Sequence, residues 1–369
     1  MPERPARIEE RCKAGQSPSE FAPTVKRLCR QLVQSWRNLK DQQIEVSALT
    51  GGISNSLYKV TAHDQVDREH DMVVVRVYAD YPVPTHVDRE REQQVLISLN
   101  SIGFGAEVLG IFGNGRIEAF LKMRELQPED MGQPDMAAKI AKRLRQLHQH
   151  VPTNVPKHVP LFDDLQLLLK LAGSVKLNDP QQQRRKDDIY DGQQMAWEVR
   201  EMKSIVESMD CPVVLSHLDL LANNIFVPAD SKGTDFAVVD MQFIDFEYAA
   251  WCYQWYDLGN HFDEYAGFEG EYDRFPDQEQ AKHFVRSYLQ QGQHTPSEEE
   301  VEAGVAASLV FSLVAHLYWG IWFIFQSMYP PSEGFDYLGN AQMRLNEYHN
   351  RKSEFLNQYR RLARQQTAA

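Results

Sequence analysis

The chain has 369 residues, of which 43% are hydrophobic, so it can bury a sizeable core as one two-lobed unit or as two domains. Its 39 basic and 52 acidic residues give a formal net charge of -13 at pH 7, and no basic stripe runs along any segment. That charge repels a phosphate backbone, so we expect no nucleic-acid partner, although an acidic protein can attract cations.

The cysteines and the N-terminal segment favour a cytoplasmic protein. No cysteine belongs to a CxxC pair or has metal-ligand spacing, which is typical of a reducing compartment. Residues 1–15 are charged and lack an apolar segment, which argues against a secretory signal, and their glutamates disfavour a transit peptide. Residues 1–20 are polar enough to predict a disordered arm. The four cysteines are Cys12, Cys29, Cys211 and Cys252.

Residues 21–122 are predicted to form a small β-rich lobe. Three alternating or β-branched segments, IEVSALT, SLYKVTAH and DMVVVRVY, predict an antiparallel meander. The segment HVDREREQQVLISLNSIG has helical spacing and ends at Gly103. The segments AEVLGIF and RIEAFLK flank Asn114-Gly115, a dipeptide typical of a two-residue hairpin turn.

Residues 123–369 are predicted to form a larger, mostly helical lobe, so the fold class is α+β. Apolar residues three and four positions apart predict helices in AAKIAKRLRQLHQH, around LFDDLQLLLKL and in QQMAWEVREMKSIVESM. One short β-rich island, NNIFV with FAVVDMQFIDF, interrupts them. Between Leu177 and Gln193 the sequence is polar enough to predict a mobile loop.

One apolar segment is long enough to cross a bilayer. No Asp, Glu, Lys or Arg occurs between Ala303 and Ser332. Its flanks, SEEEVE and PPSEGFD, lack basic anchoring residues, and Ser308, Ser312 and His316 recur within it. We therefore expect a buried helix of the large lobe and no transmembrane span.

Four polar residues stand between or beside the apolar strands of the β-rich island: His217, Asp219, Asn224 and Asp245. Phosphoryl transfer needs a carboxylate that orients and deprotonates a hydroxyl, and further oxygen ligands that hold Mg²⁺ on nucleotide phosphates. The spacing His-x-Asp-x-x-x-x-Asn matches the kinase catalytic loop, and Ile-Asp-Phe-Glu replaces Asp-Phe-Gly. The alternative is an Asx-rich turn that caps a hairpin. For His217, a structural role is favoured over proton transfer.

A glycine-containing loop in the first hairpin is a candidate phosphate-binding loop. Consecutive glycines, Gly51 and Gly52, let backbone N–H groups approach phosphates, and Ser54, Asn55 and Ser56 add donors. A Gly-Gly pair can equally be a simple turn. Its position in the first hairpin, where a kinase needs a phosphate loop, favours the phosphate site.

Arg76 lies within the apolar strand VVVRVY, and Glu92 lies on the helix that follows. Protein kinases grip phosphates with a strand Lys paired to a helix Glu, and an Arg can also bind phosphate through its fork of donors. An exposed strand Arg beside a surface Glu is the alternative.

Together these motifs resemble the choline/ethanolamine kinase family. The resemblance covers about residues 45–350 and includes GGISNSLYKV, SHLDLLANNI, FIDFEYAAWCYQWYDLGNHFDEYAG and HLYWGIWFIFQ. It implies a protein-kinase-like two-lobed fold that phosphorylates small amino alcohols with ATP and Mg²⁺. It further implies that Asp219 is the catalytic base, that Asn224 and Asp245 are Mg²⁺ ligands, and that Arg76 and Glu92 grip phosphate.

The resemblance also implies an adenine site and an assembly. The segment EAFL, which is Glu118, Ala119, Phe120 and Leu121, resembles the hinge near adenine. No transmembrane span and no nucleic acid are expected, and a homodimer is left open.

The amino-alcohol pocket is predicted from both the residues and the resemblance. Aromatic faces attract a cation by about 0.5 to 2 kcal/mol each, and carboxylates add Coulomb attraction. Trp319 and Trp322 are three residues apart and so share a helix face. For most aromatic residues here, core packing is the alternative. The predicted pocket residues are Asp219, Glu247, Tyr248, Asp257, Glu264, Trp319 and Trp322.

The loop sequence favours ethanolamine. Ethanolamine kinases of this family have Leu-Leu after the catalytic Asp where choline kinases have Cys-Gln, and this chain has Leu220-Leu221. Leu218 departs from the Asn that both groups usually have. A choline or dual-specificity kinase is the runner-up. An aminoglycoside-type phosphotransferase would leave DFEY and DLGNHF unexplained, and a pseudokinase is disfavoured because all four catalytic positions are filled.

Overall fold

The structure is a computed structural model, and it describes residues 5–12, 18–49, 55–63, 70–78, 89–152, 155–231, 233–329 and 334–368. The chain divides into two compact units. Unit 1 comprises Met1–Val83 and Leu96–Met123, and unit 2 comprises Pro84–Val95 and Arg124–Ala369. Unit 1 is built mainly on a sheet and unit 2 mainly on helices, which is the predicted α+β class.

Unit 1 contains a six-stranded sheet of order β1-β5-β6-β4-β3-β2. All neighbouring strands are antiparallel except β1 and β5, which are parallel. The predicted meander is present: Val46 pairs with Val60, and Tyr58 with Val75. The strands are β1 (Ala6–Arg7), β2 (Ile44–Leu49), β3 (Asn55–Ala62), β4 (Met72–Tyr78), β5 (Val108–Phe112) and β6 (Gly115–Ala119).

The N-terminal segment differs from the expected disordered arm at residues 5–12. Here β1 pairs with the edge strand β5, and the Gly113 N–H donates to Glu10 O over 2.7 Å. The Cys12 N–H donates to Asn114 Oδ1 over 2.7 Å, and Asn114 Nδ2 donates back to Cys12 O over 2.6 Å. Unused backbone groups of an edge strand can pair with an extended segment of any composition, which polarity alone does not reveal.

Helix α1 (Pro18–Leu32) covers the sheet of unit 1. Its buried residues recur with helical spacing and form one cluster with Trp36 and the inner strand residues. They are Phe21, Val25, Leu28, Cys29 and Leu32. Helix α2 (Arg89–Asn100) begins in unit 2 and ends in unit 1.

Unit 2 is built from nine further helices and five short strands among the described residues. Strand β8 pairs with β11, and β9 lies between β10 and β7. The helices are α3 (Pro128–Met131), α4 (Pro134–His148), α5 (Leu161–Ser174), α6 (Pro180–Ile189), α7 (Gly192–Glu207), α8 (Gln254–Asp263), α9 (Gln278–Leu289), α10 (Glu298–Gln326) and α11 (Tyr337–Ala368). The strands are β7 (Met123–Glu125), β8 (Val213–Ser216), β9 (Ile225–Pro228), β10 (Gln242–Phe243) and β11 (Ala250–Tyr253).

Helix α10 is the central helix of unit 2. It is the one helix of the described residues that is long and apolar enough to cross a membrane, and its most apolar window is 100% buried in the structure. It packs against α5, α8 and α11, and Ser297 caps its N-terminus by accepting the Glu300 N–H. This burial is what a core helix shows, and the absence of a membrane span stays a prediction.

The prediction of a mobile loop between Leu177 and Gln193 is wrong, because helix α6 occupies most of this segment. Asp179 caps this helix by accepting the Gln181 N–H over 2.7 Å, and Pro180 is its first residue. Asp-Pro is a helix start signal that outweighs the polar composition of the turns that follow.

Candidate active site

The predicted catalytic loop, residues 217–224, joins β8 to β9. Both strands belong to short antiparallel ladders, so the two ends of the loop are fixed. Leu218 has φ 69° and Asp245 has φ 62°, and they are the only non-glycine residues with positive φ in the described part of the chain. Such a conformation costs an L-residue about 1–2 kcal/mol, so tertiary contacts must hold it.

Asp257 of α8 supplies the main contact. It is fully buried, and its Oδ2 accepts the His217 N–H over 2.7 Å while Oδ1 accepts the Leu218 N–H over 2.7 Å. His148 Nε2 donates to the same Oδ2 over 2.9 Å. Burial alone would raise the pKa of Asp257, but these partners lower it below its usual value. The prediction that Asp257 binds the substrate is therefore corrected: its carboxylate is occupied in positioning the loop.

Two further residues of α8 bind the same loop. Asn260 Nδ2 lies 3.4 Å from Leu218 O, and His261 Nδ1 donates to Leu220 O over 2.8 Å. Burial lowers the pKa of His261 to about 4, so its ring is neutral. Asp257, Asn260 and His261 are three and four residues apart, so they share one face of α8, and that face binds the backbone of the catalytic loop.

His217 is held in one neutral tautomer. Its Nε2 donates to Ile244 O over 2.8 Å, and its Nδ1 accepts the Asp219 N–H at 3.3 Å. Burial lowers its pKa, which is what a structural histidine with both ring nitrogens engaged requires. His217 therefore fixes the position of Asp219.

Asp219 and Asn224 are in contact. Asn224 Nδ2 donates to Asp219 O over 2.8 Å and lies 3.4 Å from Asp219 Oδ2. This orientation directs the amide oxygen of Asn224 away from Asp219, as a metal ligand requires. Asp245 follows β10 at the start of a single 3₁₀ turn, residues 246–248. Oxygen donors on Asn224 and Asp245 are the ligand type that Mg²⁺ prefers.

Four carboxylates of unit 2 form what we call the acidic cluster: Asp219, Asp245, Glu247 and Glu264. Burial raises the pKa of Asp219 well above its usual value, and the other three carboxylates raise it further. Arg344 opposes this rise. Mutual repulsion of this kind is relieved by bound cations, so the cluster is suited to hold them.

Aromatic rings lie beside the acidic cluster. The ring centroids of Tyr248 and Trp319 are 5.3 Å apart, and those of Trp319 and Trp322 are 5.6 Å apart, all edge to face. Trp319 Nε1 donates to Asn260 Oδ1 over 2.8 Å, so this wall is tied to the helix that holds the catalytic loop. The structure thus brings together the predicted Tyr248, Trp319 and Trp322.

Two arginines partner the acidic cluster. Arg344 of α11 donates to Glu264 Oε1 over 2.6 Å. Arg89 of α2 donates through Nη1 to Glu247 Oε2 and to Glu92 Oε2, both over 3.0 Å. Neither arginine was predicted from the sequence, because Glu264 lies 80 residues from Arg344 and Glu247 lies 158 residues from Arg89.

In unit 1, Arg76 lies opposite Arg116 on the neighbouring strand, with Glu118 two residues further along. We call these three buried residues the arginine cluster. Arg116 Nε donates to Glu118 Oε1 over 2.5 Å, and Arg76 Nε lies 4.0 Å from Glu118 Oε2. Arg116 was missed, although the alternation Arg-Ile-Glu indicates that it shares a sheet face with Glu118. Arg76 belongs to unit 1 and Glu92 to unit 2, and their predicted pairing stays a prediction.

The predicted hinge continues from β6. Glu118 has the side-chain contacts given above, the Ala119 N–H donates to Glu107 O over 2.9 Å, and the Phe120 N–H donates to Met72 O over 3.2 Å. Lys59 Nζ lies 4.7 Å from the centre of the Phe120 ring. The adenine site, with Leu121, stays a prediction.

The predicted phosphate loop falls largely outside the described residues. Gly51, Gly52 and Ser54 are not described, and Asn55 and Ser56 begin β3. Their phosphate-binding roles stay predictions.

Comparisons with known proteins agree with this geometry. A family model described as choline/ethanolamine kinase matches residues 46–349. A probable ethanolamine kinase of Arabidopsis thaliana is 34% identical over 336 residues, which are 89% of this chain and 85% of that protein.

Solved structures show the same fold. The ethanolamine kinase of Plasmodium vivax has a TM-score of 0.73 and 25% identity, over 92% of this chain and 95% of that one. A choline kinase of Cryptosporidium parvum has a TM-score of 0.74 and 22% identity, over 91% and 96%. These likenesses confirm the predicted protein-kinase-like fold, and the family implies a kinase that uses a nucleotide. This chain belongs to the choline/ethanolamine kinase family.

Proposed function

We propose that this chain transfers the γ-phosphoryl group of ATP to the hydroxyl group of ethanolamine in the cytoplasm. The product, phosphoethanolamine, feeds phosphatidylethanolamine biosynthesis by the CDP-ethanolamine route. The observation that carries the proposal is the acidic cluster, which contains a carboxylate on the catalytic loop and lies beside Tyr248, Trp319 and Trp322. An amino alcohol has the two matching groups, a hydroxyl and a cationic nitrogen.

In this proposal Asp219 accepts the proton of the ethanolamine hydroxyl as its oxygen bonds to the γ-phosphorus. The bond from that phosphorus to the bridging oxygen breaks, and ADP leaves. His217, Asp257 and Asn260 position Asp219 through the loop backbone. Fixed geometry of this kind lowers the barrier because the reacting atoms are held in line.

Asn224 and Asp245 would hold Mg²⁺. Their oxygen donors fit that ion, and the Asn224 amide is already oriented by its bond to Asp219 O. Bound Mg²⁺ supplies positive charge against the phosphates and against the acidic cluster.

The ammonium group would bind Glu264 and the aromatic wall. The three N–H donors of ethanolamine need acceptors, which Glu264 and Glu247 provide, whereas a trimethylammonium group needs aromatic surface alone. A choline or dual-specificity kinase is the second candidate, because the Trp319–Trp322 wall also suits a methylated ammonium.

ATP would bind through its phosphates to unit 1. The arginine cluster places two buried guanidinium groups on neighbouring strands, and guanidinium groups bind phosphate well. The glycine loop at Gly51 and Gly52 and the segment Glu118 to Leu121 complete this proposed nucleotide site.

Initial rates with purified protein, MgATP and ethanolamine, N-methylated ethanolamines or choline test the proposal. We expect kcat/KM to fall steeply with each added methyl group. A flat or rising series would instead identify a choline or dual-specificity kinase. If MgATP raises Tm and no alcohol is phosphorylated, the chain is a pseudokinase.

A further inference from the structure

Beside the acidic cluster, three elements of unit 2 bring four polar side chains together in the core. Asp263, at the end of α8, is 1% exposed, and Ser312 and His316 of α10 are fully buried. Ser312 Oγ donates to Asp263 Oδ1 over 2.6 Å, and His316 Nε2 lies 3.2 Å from the same oxygen. Arg344 of α11 approaches from the other side. One oxygen of Asp263 is therefore fixed and the other faces Arg344.

The contact between Asp263 and Arg344 is incomplete. Asp263 Oδ2 and Arg344 Nη1 are 4.0 Å apart, which is too long for a hydrogen bond. Both atoms are buried, and neither has a hydrogen-bond partner within the described part of the chain. The other end of the guanidinium, Nη2, donates to Glu264 Oε1 over 2.6 Å. Arg344 thus binds Glu264 through one nitrogen, although a guanidinium favours two parallel bonds to a carboxylate.

The single bond between Arg344 and Glu264 affects how strongly this group attracts an ammonium. Two carboxyl groups, those of Asp263 and Glu264, face the single guanidinium group of Arg344, whose pKa is lowered by burial but raised overall by Glu264, Tyr272 and Asp263. These three residues therefore have one more carboxyl group than guanidinium groups, and one ammonium group would balance the excess. If Asp263 were neutral, Arg344 and Glu264 would neutralise each other and the attraction for an ammonium would weaken.

We propose that Asp263 is a positioning residue for amine binding, and that it acts by drawing Arg344 away from a two-bond pairing with Glu264. This keeps Glu264 only partly neutralised and leaves its Oε2 as an acceptor for an N–H donor. The inference rests on the proposed function, since it concerns the ammonium group of the same substrate.

The central experiment compares Asp263→Asn with the unaltered protein. Asn keeps the shape of the side chain and the bond from Ser312, and it removes the charge. We expect KM for ethanolamine to rise about tenfold, while kcat and KM for ATP change less than about twofold. The ratio of kcat/KM for ethanolamine over choline falls by a smaller factor, because the lost charge weakens the binding of both cations and only ethanolamine also loses a hydrogen bond to Glu264.

Glu299→Gln is the matched control. Glu299 is exposed at the start of α10, and its substitution also removes one negative charge. We expect its kinetics to equal those of the unaltered protein. If Glu299→Gln raises KM as much as Asp263→Asn does, overall charge explains the effect and the inference is overturned.

A second variant keeps the inference testable if Asp263→Asn does not fold. Ser312→Ala removes the neutral donor to Asp263 Oδ1 and leaves both the charge of Asp263 and its approach to Arg344. We expect KM for ethanolamine to change less than about twofold, since the charge is retained. A rise of about tenfold or more would show that packing, and not the charge of Asp263, sets amine affinity.

The two proposals fail in different ways. If the unaltered protein phosphorylates no amino alcohol, the proposed function fails. If the unaltered protein phosphorylates ethanolamine and Asp263→Asn leaves KM for ethanolamine unchanged, only the role of Asp263 fails. The same holds if Asp263→Asn lowers kcat and raises KM for both ethanolamine and ATP.

Discussion

The two units concentrate charged groups of opposite sign. The arginine cluster of unit 1 contains two guanidinium groups and one carboxylate, whereas the acidic cluster of unit 2 contains four carboxylates, two of which contact Arg89 and Arg344. Groups of one sign attract ligands of the other sign. This contrast supports the proposal that unit 1 binds the phosphates of ATP and that unit 2 binds cations.

Removal of the Asp219 carboxylate, the catalytic member of the acidic cluster, should have the largest effect on activity. Asp219→Asn is expected to lower kcat by about 10³-fold, because the proton acceptor is lost. Tm should stay the same or rise, since one charge leaves the acidic cluster. Initial rates and thermal unfolding measure both, with Asp230→Asn, an exposed substitution after β9, as the control. Activity within about tenfold of the unaltered protein would contradict the role of Asp219 as base.

Asp257, which binds the backbone of the catalytic loop, should make the largest contribution to the free energy of unfolding. Asp257→Ala removes the acceptor of His148 Nε2 and of two loop N–H groups, so we expect a loss of about 3–5 kcal/mol in unfolding free energy. Urea unfolding measures this loss. Asp163→Ala, at an exposed site in the first turn of α5, should change it by about 0.5 kcal/mol or less. A loss as small for Asp257→Ala would show that the bonds from Asp257 to the catalytic loop contribute little to stability.

The arginine cluster should affect the nucleotide and not the amine. Arg76→Met keeps the side-chain length and removes the charge, so KM for ATP should rise about tenfold while KM for ethanolamine changes little. Arg37→Met, an exposed change in unit 1, is the control. Equal rises in both KM values would contradict the division of roles between the two clusters.

Acid should destabilise unit 2 through its buried neutral histidines. The pKa of His261 is lowered by burial to about 4, so between pH 6.5 and 4 the unfolded chain binds a proton that the folded chain does not. Stability is therefore lost as pH falls below about 6.5, by about 2 kcal/mol at pH 5 from this residue. His217, whose pKa is also lowered, adds to the loss. Measured by urea unfolding, the free energy of unfolding of His261→Gln should fall less between pH 7 and 5 than that of the unaltered protein. An equal fall would show that His261 does not cause the loss.

The smallest expected effect concerns Trp319. Trp319→Phe keeps an aromatic face and removes the bond from Nε1 to Asn260, so we expect about 1 kcal/mol of lost stability and a modest rise in KM for ethanolamine. Trp319→Leu also removes the face and should raise that KM further. Equal KM values for both variants would show that the ring face does not contact the ammonium group.

The order of elements and the site motifs could be predicted because they are local. The meander follows from β-branched alternation, and the catalytic loop from the spacing of His217, Asp219 and Asn224. The likeness to known kinases confirms the two-lobed fold that these motifs implied.

The side-chain contacts that hold the catalytic loop and the acidic cluster could not be predicted, because they join residues that are distant in the sequence. Asp257 looked like a pocket carboxylate from its aromatic neighbours, and only the folded chain places it against the N–H groups of residues 217 and 218. The partners of Glu264 and Glu247 likewise come from other helices. Side-chain pairs at such separation leave no periodic signal in one sequence.

The pairing of β1 with β5 has a consequence for self-association. The family match begins at residue 46, and a chain shortened to that point would lose β1 and all of α1. Strand β5, VLGIF, would then present an apolar edge with unpaired backbone groups, which is a template for pairing with another copy. Residues 5–12 cover this edge, so we expect a protein that lacks only residues 1–12 to precipitate more readily than one that retains them.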